Sequence, residues 1–344
     1  MTGVAEKGAQ READVSLAQK LAFLAQALPG ARRIETHTAY VFVAPDRVLK
    51  LKKPICFDYL DYRDLTAREH VCREEIRLNR QLAGEMYLGV VPLVCDEAGR
   101  MALGTPGMVI DWLVEMRRLP TERLLETCLR SGKSVTPAEI SAVADRLVTF
   151  YRDRQADRPN PGLYLRHLRC ESAVNIRNLN DMRAHLRNGL DGAIVDAGAA
   201  LIDHHAPEIS ARDRMRLVIE GHGDLRPEHV CLTTPPTIFD RLEFSVEMRM
   251  IDVFDEVNYL GLECAVLGAQ WIGVQILAAI TAAGFSAPSP GLLRAYGVFR
   301  CLTRARLSLD HLRDAVPRTP EKWPLQARSY LMRAAVLLAA GGGG

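Results

Sequence analysis

The sequence lacks several things, and each absence removes a class of protein. None of its eight cysteines stands in a C-x-x-C pair or a tight cluster, which excludes a zinc ribbon or a small disulfide-stapled fold and leaves reduced, mostly buried thiols as the expectation. Charge of one sign is also missing: 44 basic against 42 acidic residues give a net charge of +2, so no global field draws nucleic acid or an anionic membrane. Any anion site must be local. The opening stretch MTGVAEKGAQREADVS has no apolar core of a secretory signal, which makes a cytoplasmic location the expectation. Long apolar runs are scarce. The one candidate, residues 260 to 285, is interrupted by Glu263, Gln270 and Gln275 and has no basic flank, so a buried core helix is expected and not a membrane span.

What is present is an ordinary globular composition, 48% hydrophobic and 25% charged, in a chain of 344 residues that is long enough to suggest two lobes. Leu17, Leu21, Leu24 and Leu28 fall at helical spacing behind Asp14 or Ser16 as cap, and Pro29-Gly30 ends the run. AYVFVAPDRVLKLKKP reads as a β-hairpin around APDR. LTAREHVCREEIRLNRQLAG is a helix stopped by Gly84, and GVVPLV and MALGTPGMVIDWLVEM supply further strands. Beyond RRLP the pattern turns helical, starting with Thr136 and Glu139 at capping-box spacing, and a short hairpin (VCLT, TPPT, IFDRLEF) interrupts it. The predicted division is a helical lead-in over 1–30, a small β-rich lobe over 31–118, a larger lobe over 119–340 and a glycine tail over 341–344. The fold class expected is α+β.

Two stretches can carry chemistry. In RVLKLKKP, alternation sends Val48, Lys50 and Lys52 to one face and Leu49 and Leu51 to the other. In the next helix Glu75 shares a stripe with Val71, Leu78 and Leu82, and a carboxylate in a core-facing stripe calls for a cation, which Lys50 or Lys52 can supply. The alternative is that the lysines are solvated strand ends and Glu75 sits at a stripe margin. In GHGDLRPEHVCL, Gly221 and Gly223 allow a tight loop that presents His222 and Asp224. The following hairpin ends at Asp240 and is expected to bring it near that loop. Such a carboxylate pair suits one group accepting a proton from a hydroxyl and another holding a divalent cation, although an Asp in a turn and an Asp at a strand end are common in structural roles too.

Lysine strand, glutamate helix, HGD loop, hairpin and Asp together resemble the two-lobed protein-kinase-like fold in its aminoglycoside phosphotransferase branch, a small β-rich N-lobe with a larger, mostly helical C-lobe. ETHTAYVFVAPDRVLKLKKP, EEIRLNRQLAGEMYLGVVPL, VEMRRLP, FDRLEF and RMIDV are similar, more narrowly, to bacterial phosphotransferase-like proteins often joined to a P-loop ATPase domain, over about Glu35 to Gly261. SGKS (131 to 134) lacks the first glycine and the preceding strand of a P-loop, so that domain is not expected here. The resemblance implies an ATP-dependent phosphotransferase moving the γ-phosphoryl group to a hydroxyl of a small molecule. It implies Lys50 on the α- and β-phosphates and Glu75 positioning Lys50, with Lys52 and Thr38 completing the nucleotide-binding set. Asp224 becomes the base or orienter, His222 its brace, Asp240 the ligand of Mg²⁺ or Mn²⁺, and Arg249 with Asp252 an ion pair under the loop.

The sequence departs from that pattern where His229 stands in place of the usual Asn five residues after the catalytic Asp. An imidazole is a poor ligand for a hard cation, so His229 marks either an altered metal position or a pseudokinase that binds nucleotide, or a protein partner, without transfer. Acidic residues of the helical lobe, Glu171, Asp181 and Glu263, are candidates to receive a cationic acceptor, with solvated surface charge as the plainer role.

Overall fold

The computed structural model describes residues 15–57, 60–155, 161–186, 192–313, 317 and 319–340. The described chain forms two compact units, one running to Thr127 and taking in Glu228–Ser245, the other comprising Cys128–Pro227 and the residues from Val246 on. Asp14 and the glycine tail lie outside the described residues.

The first unit begins with α1 (Leu17–Ala27), capped by Ser16, whose Oγ accepts from Gln19 N while Gln19 Oε1 accepts from Ser16 N. Strands β1 (Arg32–Glu35), β2 (Ala39–Val43) and β3 (Arg47–Lys52) follow, then a small hairpin of β4 (Cys56–Phe57) and β5 (Leu60–Asp61). Helix α2 (Leu65–Ala83) starts at the Asp64 cap and stops at Gly84, whose φ of +57° favours glycine. Strands β6 (Tyr87–Cys95), β7 (Met101–Leu103) and β8 (Met108–Arg117) complete an antiparallel sheet of order β1-β2-β3-β8-β6-β7. Leu49 and Leu51 pack with Leu24 and Leu28 on the α1 side of this sheet, while Val48 joins Cys72 and Ile76 on the α2 side. The alternation of β3 therefore does what its sequence predicts: it sends apolar side chains to one helix and both lysines to the other.

The second unit is helical: α3 (Pro137–Arg154) with its Thr136–Glu139 capping box, α4 (Leu163–Asp181), α5 (Gly192–His204) and α6 (Ala206–Arg214), then β9 (Val218–Glu220). The chain passes through β10 (Val230–Cys231) and β11 (Thr237–Ile238) in the first unit before returning with β12 (Met250–Asp252), antiparallel to β9. Helices α7 (Val253–Val266), α8 (Gln270–Ala282), α9 (Pro290–Asp310) and α10 (Lys322–Ala339) finish it around two apolar cores. Residues 260 to 285, expected as one helix, are parts of α7 and α8, parted by a turn in which Gly268 takes φ +84°. The two helices then fold back so closely that a Cβ on Gly261 would lie 2.7 Å from the Gly273 Cα. Among the described residues no helix is long and apolar enough to cross a membrane.

Backbone and side-chain hydrogen bonds explain why Glu228–Ser245 clusters with the first unit. Leu232 N donates to Arg123 O and Asp240 N to Tyr87 Oη, while Arg241 N donates to Asn79 Oδ1 and Arg241 Nη1 to Gln81 Oε1. Leu124 forms an isolated β-bridge with Cys231.

Candidate active site

In the first unit, β3, α2 and the β10–β11 segment place five charged side chains in contact. Lys50 Nζ lies 2.9 Å from Glu75 Oε1 and 2.7 Å from Asp240 Oδ1. Lys52 Nζ lies 2.5 Å from both Glu75 Oε2 and Glu243 Oε1. Glu75 and Lys52 are fully buried, so the stripe argument for Glu75 resolves in favour of the ion pair and against the solvated alternative. Lys52 lies beneath the cluster with its ammonium between two carboxylates, while Asp240 is the exposed member, with 41% of its side chain accessible. His229 is buried, and its Nε2 stands 3.5 Å from Asp240 Oδ2. Thr38 is half-buried in the β1–β2 turn, where its carbonyl accepts from Lys53 N.

The electrostatics follow from this geometry. Burial opposes the charged form of Lys50, yet the carboxylates of Asp240 and Glu75 hold its pKa well above the ordinary lysine value. Burial likewise opposes ionisation of Glu75, and Lys50 and Lys52 overcome it, leaving the group below its ordinary value. For Asp240, burial is again outweighed, here by Lys50 and then His229, and the carboxyl sits well below the usual carboxylate range. Asp240 also adopts φ +61°, a left-handed conformation that costs a non-glycine residue free energy and that Tyr87 and the Asn79–Arg241 bonds hold in place. Two ammonium groups face the carboxylates of Glu75, Asp240 and Glu243, so the lysines and acids together carry one excess negative charge. The oxygen donor of Asp240 suits a hard divalent cation; the His229 nitrogen does not. Among the described residues no group of three or more His, Cys, Asp or Glu side chains is arranged to hold a metal ion.

In the second unit the loop after β9 carries His222 and Asp224. His222 is fully buried, and its Nδ1 accepts from Asp224 N at 3.3 Å. Asp224 accepts from Arg226 Nη2 at 2.7 Å and from Tyr259 Oη at 3.4 Å. The residue that fixes this loop is one the sequence did not single out. Glu256 on α7 accepts from Gly223 N at 2.8 Å through Oε1 and from Tyr151 Oη at 2.9 Å through Oε2. Both glycines of the loop are required: Gly223 takes φ +86°, and a Cβ on Gly221 would fall 2.7 Å from Glu256 Oε1.

Two sequence expectations need correction. Arg249 and Asp252 do not pair with one another. The β9–β12 register sets Met250 opposite Glu220, so Arg249, just outside the strand, reaches Glu220 Oε1 at 2.7 Å. Asp252 instead caps α7 through Phe254 N and takes two bonds from the buried Arg212. Nor is Glu263 a solvated surface charge: it is buried and holds Arg304 Nε at 3.0 Å and Tyr330 Oη. Glu171 is matched by Arg306 at 2.6 Å, whereas Asp181, exposed and 3.7 Å from an exposed Arg313, is the solvated surface charge expected.

With this geometry in hand, comparison with known proteins places the fold. The chain matches no protein-family model. Uncharacterized proteins of Mycobacterium tuberculosis and Mycobacterium bovis are each 29% identical to it over 322 residues, which is 90% of this chain and 61% of the relative. The chain thus spans 61% of the length of the curated relatives it matches. Among solved structures, the GDP and kanamycin complex of an APH(2″)-type aminoglycoside phosphotransferase has a TM-score of 0.54 at 13% identity, covering 90% of this chain and 94% of that one. Spectinomycin phosphotransferase with ADP and spectinomycin gives 0.53 at 11% identity, covering 93% and 98%. A choline/ethanolamine kinase family protein of Mesorhizobium loti gives 0.51 at 16% identity, covering 96% and 94%. The chain has the protein-kinase-like fold, in the form found in aminoglycoside phosphotransferases and choline/ethanolamine kinases.

Proposed function

We propose that this protein is an ATP-dependent phosphotransferase acting on a hydroxyl of a small molecule. One observation carries the reading: Lys50 Nζ bonds at once to Glu75 of α2 and to Asp240, a residue 190 positions further along the chain. A buried amine held between two carboxylates is a poor device for stability alone, because desolvating such charges costs about as much as their pairing returns. It is a suitable device for receiving phosphate oxygens. In this reading Lys50 binds the α- and β-phosphates, Glu75 orients Lys50, and Lys52 with Glu243 secures Glu75 from beneath. Thr38 belongs to the turn over the phosphates. Asp240 would hold Mg²⁺ or Mn²⁺, which when bound neutralises charge on the phosphate oxygens.

Asp224 orients the acceptor hydroxyl and takes its proton as the acceptor oxygen bonds to the γ-phosphorus and the bond from that phosphorus to the β–γ bridging oxygen breaks, releasing ADP. His222 and Glu256 hold its loop. Two solved structures of this fold support the chemistry further, one a complex with GDP and kanamycin and the other with ADP and spectinomycin.

The test is turnover of ATP by the purified chain with Mg²⁺ or Mn²⁺. Asp224→Asn should lower it by about 10²- to 10⁴-fold, the usual scale for removing a positioned acid-base group. Unchanged turnover in that variant would remove Asp224 from the mechanism. A second reading, a pseudokinase, is favoured by His229 standing 3.5 Å from the Asp240 carboxylate in place of an oxygen donor. Nucleotide-induced thermal stabilisation without turnover would select it, whereas His229→Asn should shift an active enzyme toward Mg²⁺.

A further inference from the structure

The surroundings of Asp224 within the second unit bear on what its acceptor carries. Three carboxylates and three arginines gather about Tyr259, and each carboxylate already has an arginine. Asp224 pairs with Arg226 at 2.7 Å, Asp255 with Arg300 at 2.5 Å and Glu263 with Arg304 at 3.0 Å. Tyr259 is tied to the group by its bond to Asp224 and by the Arg300 guanidinium 5.0 Å over its ring.

The pairs are not equally accessible. The Asp255 side chain is fully buried and accepts from Tyr164 Oη as well; Glu263 is 9% exposed and accepts twice from Tyr330 Oη. Their arginines lie nearer solvent, 13% for Arg300 and 16% for Arg304, whereas in the third pair Asp224 at 27% is more exposed than Arg226 at 17%. Among the described residues the hydrogen bonds that Arg304 donates leave from Nε, to Glu263 Oε1 and Tyr330 Oη, so its two terminal nitrogens keep donors to offer. An ammonium group arriving beside Asp224 would thus find each carboxylate matched and would meet two guanidinium groups. An oxyanion would find fork-shaped donors that suit it.

We propose that the acceptor bears, beside the hydroxyl that Asp224 orients, a carboxylate or phosphate group, and that Arg226 and Arg304 bind it. The inference rests on the phosphotransferase reading above. It also gives Arg226 two competing partners. When the acceptor's oxyanion takes Arg226, Asp224 Oδ2 is released from its ion pair, so the proton acceptor is freed as the acceptor docks. A cationic antibiotic or an amino alcohol would leave that pair closed.

The experiment uses the full chain with ATP and Mg²⁺ or Mn²⁺, and five probes: glycerate, glycerol 3-phosphate, glycerol, choline and kanamycin. ADP release and thermal stabilisation are read for each. The expected result is that glycerate or glycerol 3-phosphate exceeds glycerol, choline and kanamycin at least tenfold in kcat/KM, or alone stabilises the protein. Arg226→Met and Arg304→Met should each raise KM or Kd for that anion about 10- to 100-fold, the range of a lost charge-assisted bond. Arg226→Lys, which keeps the charge, should recover part of the loss. The contrast of glycerol with glycerol 3-phosphate on the unaltered chain decides even where a variant fails to fold. Preference for choline or kanamycin overturns the inference, as does nucleotide binding with no response to either anion. Stabilisation by ATP alone is read in the same samples. ATP binding with a cationic acceptor sinks only the charge assignment, whereas no nucleotide binding sinks the phosphotransferase reading with it.

Discussion

The charged cluster of the first unit and the HGD loop of the second are built on opposite plans. Around Lys50 the contacts are between formal charges on side chains from three separated segments, and the most exposed of them, Asp240, sits in a left-handed backbone conformation. The loop that carries Asp224 is held mainly through backbone and hydroxyl groups, Gly223 N to Glu256, Tyr151 Oη to Glu256 and Asp224 N to His222, with the Asp224–Arg226 pair as its own contact between formal charges. Under the phosphotransferase reading the first arrangement exchanges partners when a new charge arrives, Lys50 trading Asp240 for a phosphate oxygen. The bonds of the second loop to Glu256 and His222 cannot rearrange without leaving a buried group unbonded, so its backbone is fixed. Under the phosphotransferase reading, ligand capture and precise presentation would fall to two differently constructed regions of one chain.

That contrast can be broken by removing its central members. Glu75→Ala leaves two buried ammonium groups sharing less counter-charge and should cost about 3–5 kcal/mol, the scale of a disrupted buried pair. Urea denaturation measures it, and a loss under 1 kcal/mol would show that Asp240 and Glu243 suffice. Glu256→Gln keeps the shape but weakens two charge-assisted bonds, and should cost about 1–3 kcal/mol with faster hydrogen exchange at Gly223.

Acidification separates the regions by sign. Glu75 and Asp240 are held below their ordinary values of 4.5 and 3.8, so their contribution is present above those values and fades as pH falls through the lower folded ones. Buried Asp252, in the second unit, is raised above 3.8 by burial against the opposing pull of Arg212, so it takes up a proton in the folded state first, and falling pH favours folding through it. Asp252→Asn should therefore flatten one limb of the stability profile and Glu75→Gln the other. The same slope change in both variants would refute the contrast. Smallest, and a control for both units, Ser16→Ala and Thr136→Ala should each cost about 1 kcal/mol through a lost helix cap.

How much of this was legible depended on the range over which the information lay. The β2–β3 hairpin, α2 and its Gly84 stop, and the Thr136 cap are written in neighbouring residues. Lys50 and Glu75 could be matched because one strand's alternation and one helix's stripe each point a charge at the same layer. Lys20 is the counterexample. It lies on α1 among leucines, and nothing local marks it as the buried partner of Asp111, which also holds Arg68. Glu243 and Glu256 were unmarked for the same reason, since their partners lie tens or hundreds of residues away. The Arg249–Asp252 expectation failed because tertiary structure, not proximity in sequence, chose the partners: strand register set Glu220 beside Arg249, and α6 supplies Arg212 to Asp252. The apolar run over 260–285 hid a turn because nothing local distinguishes Gly268, which takes a positive φ there, from Gly261 and Gly273, which stay helical.

The return of Glu228–Ser245 to the first unit has a consequence for synthesis. When Thr127 is made, β3 and α2 exist, but Asp240, Glu243 and Arg241 do not. Lys50 and Lys52 then have only Glu75 between them, and Asn79 has no Arg241 to receive. The ribosome must add the 118 residues from Cys128 to Ser245 first, a delay of about 6–24 s at about 5–20 residues per second. During that interval the nascent sheet carries one ammonium charge more than Glu75 can neutralise, and a chain severed after Thr127 would stay in that condition permanently.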